Sequence, residues 1–141
     1  MNKEKQDELC KKYPVILSRC EKPGSPMLWG IAVGDGWIDL LDDTLRIIQH
    51  RMAKNKHVEE VIGKTKQLVA VQIKEKFGGL RFYYEGGDNY IRGVIDAAEV
   101  HSYRICEECG EKGKMRNHNY MSIRCDACDK KWLERLKKDE A

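Results

Sequence analysis

The spacing of apolar positions changes several times along this chain, and each change predicts an element. Residues 3–12 read as a short charged helix that stops at Tyr13-Pro14, because proline disfavours helix at the residue before it. Residues 21–26, with two prolines and a glycine, read as a loop. The apolar, glycine-punctuated run 27–34 reads as a short strand. An amphipathic helix is expected over 37–52, where Trp37, Leu40, Leu41, Leu45, Ile48 and Met52 recur at helical steps. Asp35 is its expected N-cap. Residues 53–67 are polar and lysine-rich, with a weak helical signal at 57–62.

Alternation then takes over. Residues 68–76 and 80–85 predict a β-hairpin with Gly78-Gly79 as its turn. That turn pairs Phe77 with Leu80, Glu75 with Phe82 and Ile73 with Tyr84. It sets Val71, Ile73, Phe77, Leu80, Phe82 and Tyr84 on one face, with Glu75 as the polar exception. Gln72, Lys74, Lys76, Arg81 and Tyr83 fall on the other face, Lys76 directly across from Arg81. Like charges so placed repel, and a bound phosphate would relieve them while Tyr83 stacked a base. The competing reading is a solvated or covered sheet face with splayed cations. Tyr90 and Arg92 are expected to join the same surface. A second helix follows over 89–102, capped by Asp88, with Ile91, Val94, Ile95 and Ala98 as its buried stripe.

Two Cys-x-x-Cys pairs, Cys106/Cys109 and Cys125/Cys128, stand with fifteen residues between them. Four thiolates at that spacing can close a tetrahedral shell around one zinc ion. Lys114–Arg116 and Tyr120–Arg124 pair as a short hairpin between them, and the second pair opens a terminal helix on which Cys128, Trp132, Leu133 and Leu136 share a face. The expected architecture is therefore α+β: a small helix–hairpin–helix domain over 1–103, then a four-cysteine zinc module over 104–141. A saturated shell leaves no open position for water, so a structural Zn2+ and a non-enzymatic role are expected.

Composition narrows this further. Six cysteines could instead form a secreted disulfide framework, but the clustered pairs and the lack of an apolar N-terminal stretch favour metal in a cytosolic protein. Cys10, in a helix, and Cys20, in a loop, read as ordinary reduced thiols. No run approaches the ~18 apolar residues that span a bilayer. The formal charge of +3 falls to about +1 once zinc displaces four thiol protons. Nucleic-acid binding would thus need a local patch.

Catalytic constellations are weak. His57-Val58-Glu59 with Cys106-x-x-Cys109 lacks the proline of the zinc-deaminase signature, and Ile105 stands in its place. Asn117-His118-Asn119 invites a nuclease reading, but no Asp-His pair or second metal site accompanies it, and His118 reads as an exposed turn residue. His50 and His101 read as helix-surface residues. No P-loop, dinucleotide fingerprint or nucleophile elbow is present.

The order of knuckle, hairpin and helix resembles a treble-clef or zinc-ribbon-like finger. Its cysteine spacing is similar to the finger of the DnaK-suppressor/TraR group of polymerase-binding regulators. The coiled coil of that group has no counterpart in residues 1–103. Over most of its length the chain resembles a family of small phage and prophage zinc-finger proteins. The likeness rests on Trp29-Gly30, Gly34-Asp35-Gly36-Trp37, Lys74-Glu75-Lys76-Phe77-Gly78-Gly79-Leu80-Arg81-Phe82-Tyr83, Ala98-Glu99 and the cysteine pairs. It implies a phage accessory protein in the host bacterial cytosol that binds a host protein or nucleic acid, modulating host machinery or defence. The alternative is a protein that sequesters a nucleotide signal in a pocket near Trp29, Trp37, Arg81 and Tyr83.

Overall fold

The computed structural model describes residues 1–55 and 66–141, so the weak helical signal at 57–62 and the His57/Glu59 pair lie outside the described residues. The fold is α+β: helices with two small antiparallel sheets, and a four-cysteine cluster near the C-terminus. Helix α1 (Lys3–Lys12) is capped by Asn2, whose side chain accepts from the Glu4 and Lys5 amides. Turns lead to Asp35–Trp37, a single 3-10 turn that runs into α2 (Ile38–Asn55). Asp35 does not cap this helix. It lies inside the 3-10 turn, and its carboxylate instead accepts from the Asn2 amide at 2.7 Å, which ties the start of the chain to α2.

Strands β1 (Val69–Lys76) and β2 (Gly79–Glu85) form the expected hairpin, but the turn comes one residue earlier and the cross-strand partners are displaced by two, so that Glu75 faces Leu80 and Ile73 faces Phe82. The turn is Phe77-Gly78, both in the left-handed region at φ 53° and 86°, as a two-residue hairpin turn requires. Glu75 Oε1 accepts the Gly78 amide at 2.6 Å and holds the turn. Gly79 belongs to the strand, where a side chain would collide with the Tyr103 ring. Phe77 consequently projects into solvent, 66% exposed, instead of joining the core face.

At the other end of the hairpin a bulge at Val71 shifts the register once more. Ala70 pairs with Tyr84 while Gln72 pairs with Tyr83, so Ala70 is the fully buried residue and Val71 is only half-buried. The Ala70 amide is taken by the Ile16 carbonyl at 2.8 Å, a long-range bond that accompanies the change of register.

Run 27–34 is not a strand. It contributes a single parallel bridge, Ala32 beside Lys74, which covers the outer edge of β1. Helix α3 (Asn89–Ser102) covers the edge of β2: Ser102 Oγ accepts the Leu80 amide and Glu99 the Phe82 amide, at 2.9 and 3.0 Å. Both edges are thereby closed to further pairing. Trp37, Leu41, Leu45 and Ile48 of the α2 segment form one cluster with Ile73 and Leu80 of the hairpin and with Ile91 and Ile95 of α3. Most of the helix stripes expected from periodicity are thus the core, while Leu40 and Val94 are only half-buried.

Strands β3 (Lys114–Asn117) and β4 (Met121–Arg124) pair as the second hairpin, and α4 (Asp126–Asp139) follows at once. Three hydrogen bonds join this C-terminal region to the start of α2. The Gly34 amide donates to Glu107 Oε1, the Gly36 amide to the Glu107 carbonyl, and Trp37 Nε1 to the Ile105 carbonyl. Side chains at Gly34 and Gly36 would strike the Glu107 and Cys106 carbonyls, so glycine permits this approach.

Candidate metal centre and basic faces

The sequence builds the cysteine site from two turns. Cys106 opens a knuckle in which the Gly110 amide returns to the Cys106 carbonyl, with Gly110 at φ 82°. The Cys106 amide reaches the Glu111 carbonyl, and the Glu107 amide the Ile123 carbonyl of β4. Cys125 is the N-cap of α4, and its sulfur accepts the Cys128 amide at 3.4 Å. These turns bring all four sulfur atoms within 4.8 Å of one another. Cys109 Sγ lies 3.7 Å from Cys125 Sγ. A tetrahedron with metal–sulfur bonds of about 2.3 Å has edges of about 3.8 Å, whereas a disulfide is about 2.05 Å long. The donor set and its spacing therefore fit one tetrahedral metal ion.

The thiols feel their crowding. The Cys128 amide holds the Cys125 thiol down to about 7, while burial and then the neighbouring sulfurs push Cys128 up. One sulfur is ready to ionise and another resists. A cation among them would remove that conflict.

Behind the sulfurs lies a polar core that sequence reading missed. Arg124, nearly buried, donates to Glu108 at 3.1 Å and to Asp129 at 3.3 Å. Its guanidinium sits 4.2 Å from the centroid of the Trp132 ring. Arg116 reaches Asp126 at 2.6 Å and Asp129 at 3.5 Å. His118 Nε2 lies 3.0 Å from Asp129 Oδ2 and its ring stacks on Trp132. An Asp–His pair is thus present, contrary to the sequence reading, and His118 is not a free turn residue. Burial alone would raise the Asp129 carboxyl, but His118 and the two arginines hold it below the ordinary carboxylate range. So committed a carboxylate serves to lock the hairpin to α4. The most buried residue of α4 is Asp129, while Trp132 and Leu133 are half-buried and Leu136 is exposed.

Of the remaining expected residues, Lys74, Lys76, Arg81 and Tyr83 share the outer face of β1–β2. Register decides the pairing: Lys74, not Lys76, stands across from Arg81, and Gln72 across from Tyr83. Arg81 donates to the Tyr103 hydroxyl at 3.1 Å and to its own strand carbonyl. Among the described residues, no carboxylate forms an ion pair with Lys74, Lys76 or Arg81. Tyr83 is 42% exposed beside them. Trp37 cannot line a ligand pocket, because its ring is fully buried in the core. Tyr90 does not join this face either; it lies against Arg51 of α2. His50 and His101 are exposed on their helices, as expected.

Cys10 and Cys20, isolated in sequence, lie close enough for their thiols to interact. That interaction lowers the Cys10 thiol and raises Cys20.

No helix among the described residues is long and apolar enough to cross a membrane. The site geometry can then be set beside known proteins. Nothing matches: no family model, no curated protein and no solved structure corresponds to this chain.

Proposed function

We propose that this chain is a non-catalytic zinc protein whose C-terminal region, residues 104–141, is a treble-clef finger that staples the fold, and whose outer β1–β2 face holds nucleic acid. Zinc is the ion that best suits four cysteine sulfurs at tetrahedral spacing, and a filled shell offers no position for a reacting water. The observation that carries the binding role is the Lys74/Arg81 cross-strand pair. Two cations facing each other, neither in an ion pair with a carboxylate among the described residues, are destabilising unless an anion joins them. Lys76 extends that charge along β1, and Tyr83 offers an exposed ring on which a base can stack. The resemblance to small phage zinc-finger proteins supports an accessory role in a host bacterial cytosol. There a host nucleic acid, alone or with a host protein, is the ligand through which host machinery or defence is modulated.

Lys74→Glu combined with Lys76→Glu tests the binding role. Fluorescence anisotropy with a short single-stranded oligonucleotide at low salt should show the wild type binding with an affinity that falls steeply as salt rises. The double variant should lose binding by at least about tenfold at an unchanged melting temperature. Equal binding by the two proteins removes this face from the interaction.

A further inference from the structure

A second basic concavity lies on the helices, shares no residue with the sheet face, and matches none of the sequence motifs. Arg46, His50 and Lys54 recur at four-residue steps along α2 and so form one stripe, with Ile47 and Arg51 on the adjoining stripe. Together with Tyr90, from the first turn of α3, they line a cavity of about 610 Å³. That volume falls in the range of small-molecule sites. Among the described residues, no carboxylate lines it.

The parts of this cavity differ in how firmly they are held. Arg51 is fixed: Asp88 accepts from its guanidinium at 3.1 Å, and Asp88 is itself anchored as the cap of α3 through the Ile91 amide. The Arg51 guanidinium lies 4.7 Å from the centroid of the Tyr90 ring. Tyr90 stays 54% exposed despite that contact, and Ile47 is 40% exposed. An aromatic and an aliphatic surface thus border fixed positive charge. Arg46 is loosely held, since its pair with Asp43 is exposed on both sides and worth little in water. It can exchange that carboxylate for a ligand phosphate. Lys54 pairs with no described carboxylate.

We infer that the α2–α3 cavity binds a phosphate-bearing nucleobase, with the base stacked on Tyr90 and the phosphate held by Arg46 and Lys54. Arg51 positions the ring and adds its charge. An acidic peptide would satisfy the cations but give Tyr90 no flat partner. Inorganic phosphate alone would leave both Tyr90 and Ile47 uncovered. The same chemistry is offered by a free nucleotide and by a nucleotide within a single strand.

The test is a titration of the zinc-loaded full chain, labelled with 15N, with AMP, with inorganic phosphate and with a short oligodeoxyadenylate. Saturable shifts of the 46–54 and 90 amides by AMP, at lower concentration than inorganic phosphate requires, support the site and identify a free nucleotide. The same shifts by the oligonucleotide alone support the site and identify a strand as the source. Tyr90→Ala should weaken binding about tenfold or more, and Tyr90→Phe should retain it. Arg46→Ala with Lys54→Ala should weaken binding and flatten its salt dependence. Lys74→Glu should leave this site unaffected, which separates its failure from that of the sheet face. No saturable shift with either nucleotide ligand overturns the proposal. So does binding of both nucleotide ligands no tighter than that of inorganic phosphate, or binding indifferent to Tyr90→Ala.

Discussion

Twenty apolar side chains among the described residues of 1–98 join one buried cluster, whereas the region from 104 to 141 buries only Cys106 and Ile123 among its apolar side chains. The first region is stabilised by area removed from water, at roughly 25 cal/mol per Å². The second is too short to build such a core. In its place stand a four-sulfur cluster and a buried polar lock centred on Arg124 and Asp129. Buried ion pairs contribute little net stability, because desolvation cancels most of their attraction. The lock therefore specifies how β3, β4 and α4 fit together, and a metal ion held by the four sulfurs would supply the free energy that keeps them there.

Removal of the metal should break this comparison most visibly. Zinc binding to comparable short modules contributes about 10–16 kcal/mol near neutral pH, so a strong chelator should unfold residues 104–141. Amide resonances from that region should collapse, while those of Ile73, Leu80 and Ile95 persist. Loss of both sets together would mean that the two regions form one cooperative unit.

Leu45→Ala attacks the other side. Leu45 is fully buried in the apolar cluster, and the cavity left behind should cost about 2–5 kcal/mol. Chemical denaturation should read this as a lower midpoint, with zinc content unchanged. A midpoint that stays in place would contradict the core assignment.

Trp37→Phe sharpens the comparison at the joint. It removes the donor to the Ile105 carbonyl, 2.9 Å away, and should cost about 1–3 kcal/mol. The C-terminal region should then melt earlier relative to the core, as followed by separate resonances. Parallel shifts of both regions would mean that this bond does not link them in particular.

What could be read from the sequence was local. The three helices over 3–12, 37–52 and 89–102 show their periodicity in contiguous residues, and the four cysteines announce themselves by spacing. The hairpin also showed, but its register turned on which two of Phe77, Gly78 and Gly79 make the turn. That choice follows from Tyr103 packing on Gly79, a contact between residues far apart in the chain. The Val71 bulge likewise accompanies a bond between Ala70 and Ile16. Tyr90 was expected beside the hairpin because it follows it in sequence. The turn into α3 instead sets it over Arg51, a partner thirty-nine positions earlier. His118 and Asp129 meet only because the hairpin folds back on α4. A short pattern carries none of these long-range pairings.

Native mass spectrometry of the protein purified without chelator tests the metal-stapled account most directly. The wild-type chain should carry one zinc ion, and Cys109→Ser should carry none. A wild-type chain without metal, or a Cys109→Ser chain that keeps its zinc, would contradict the account.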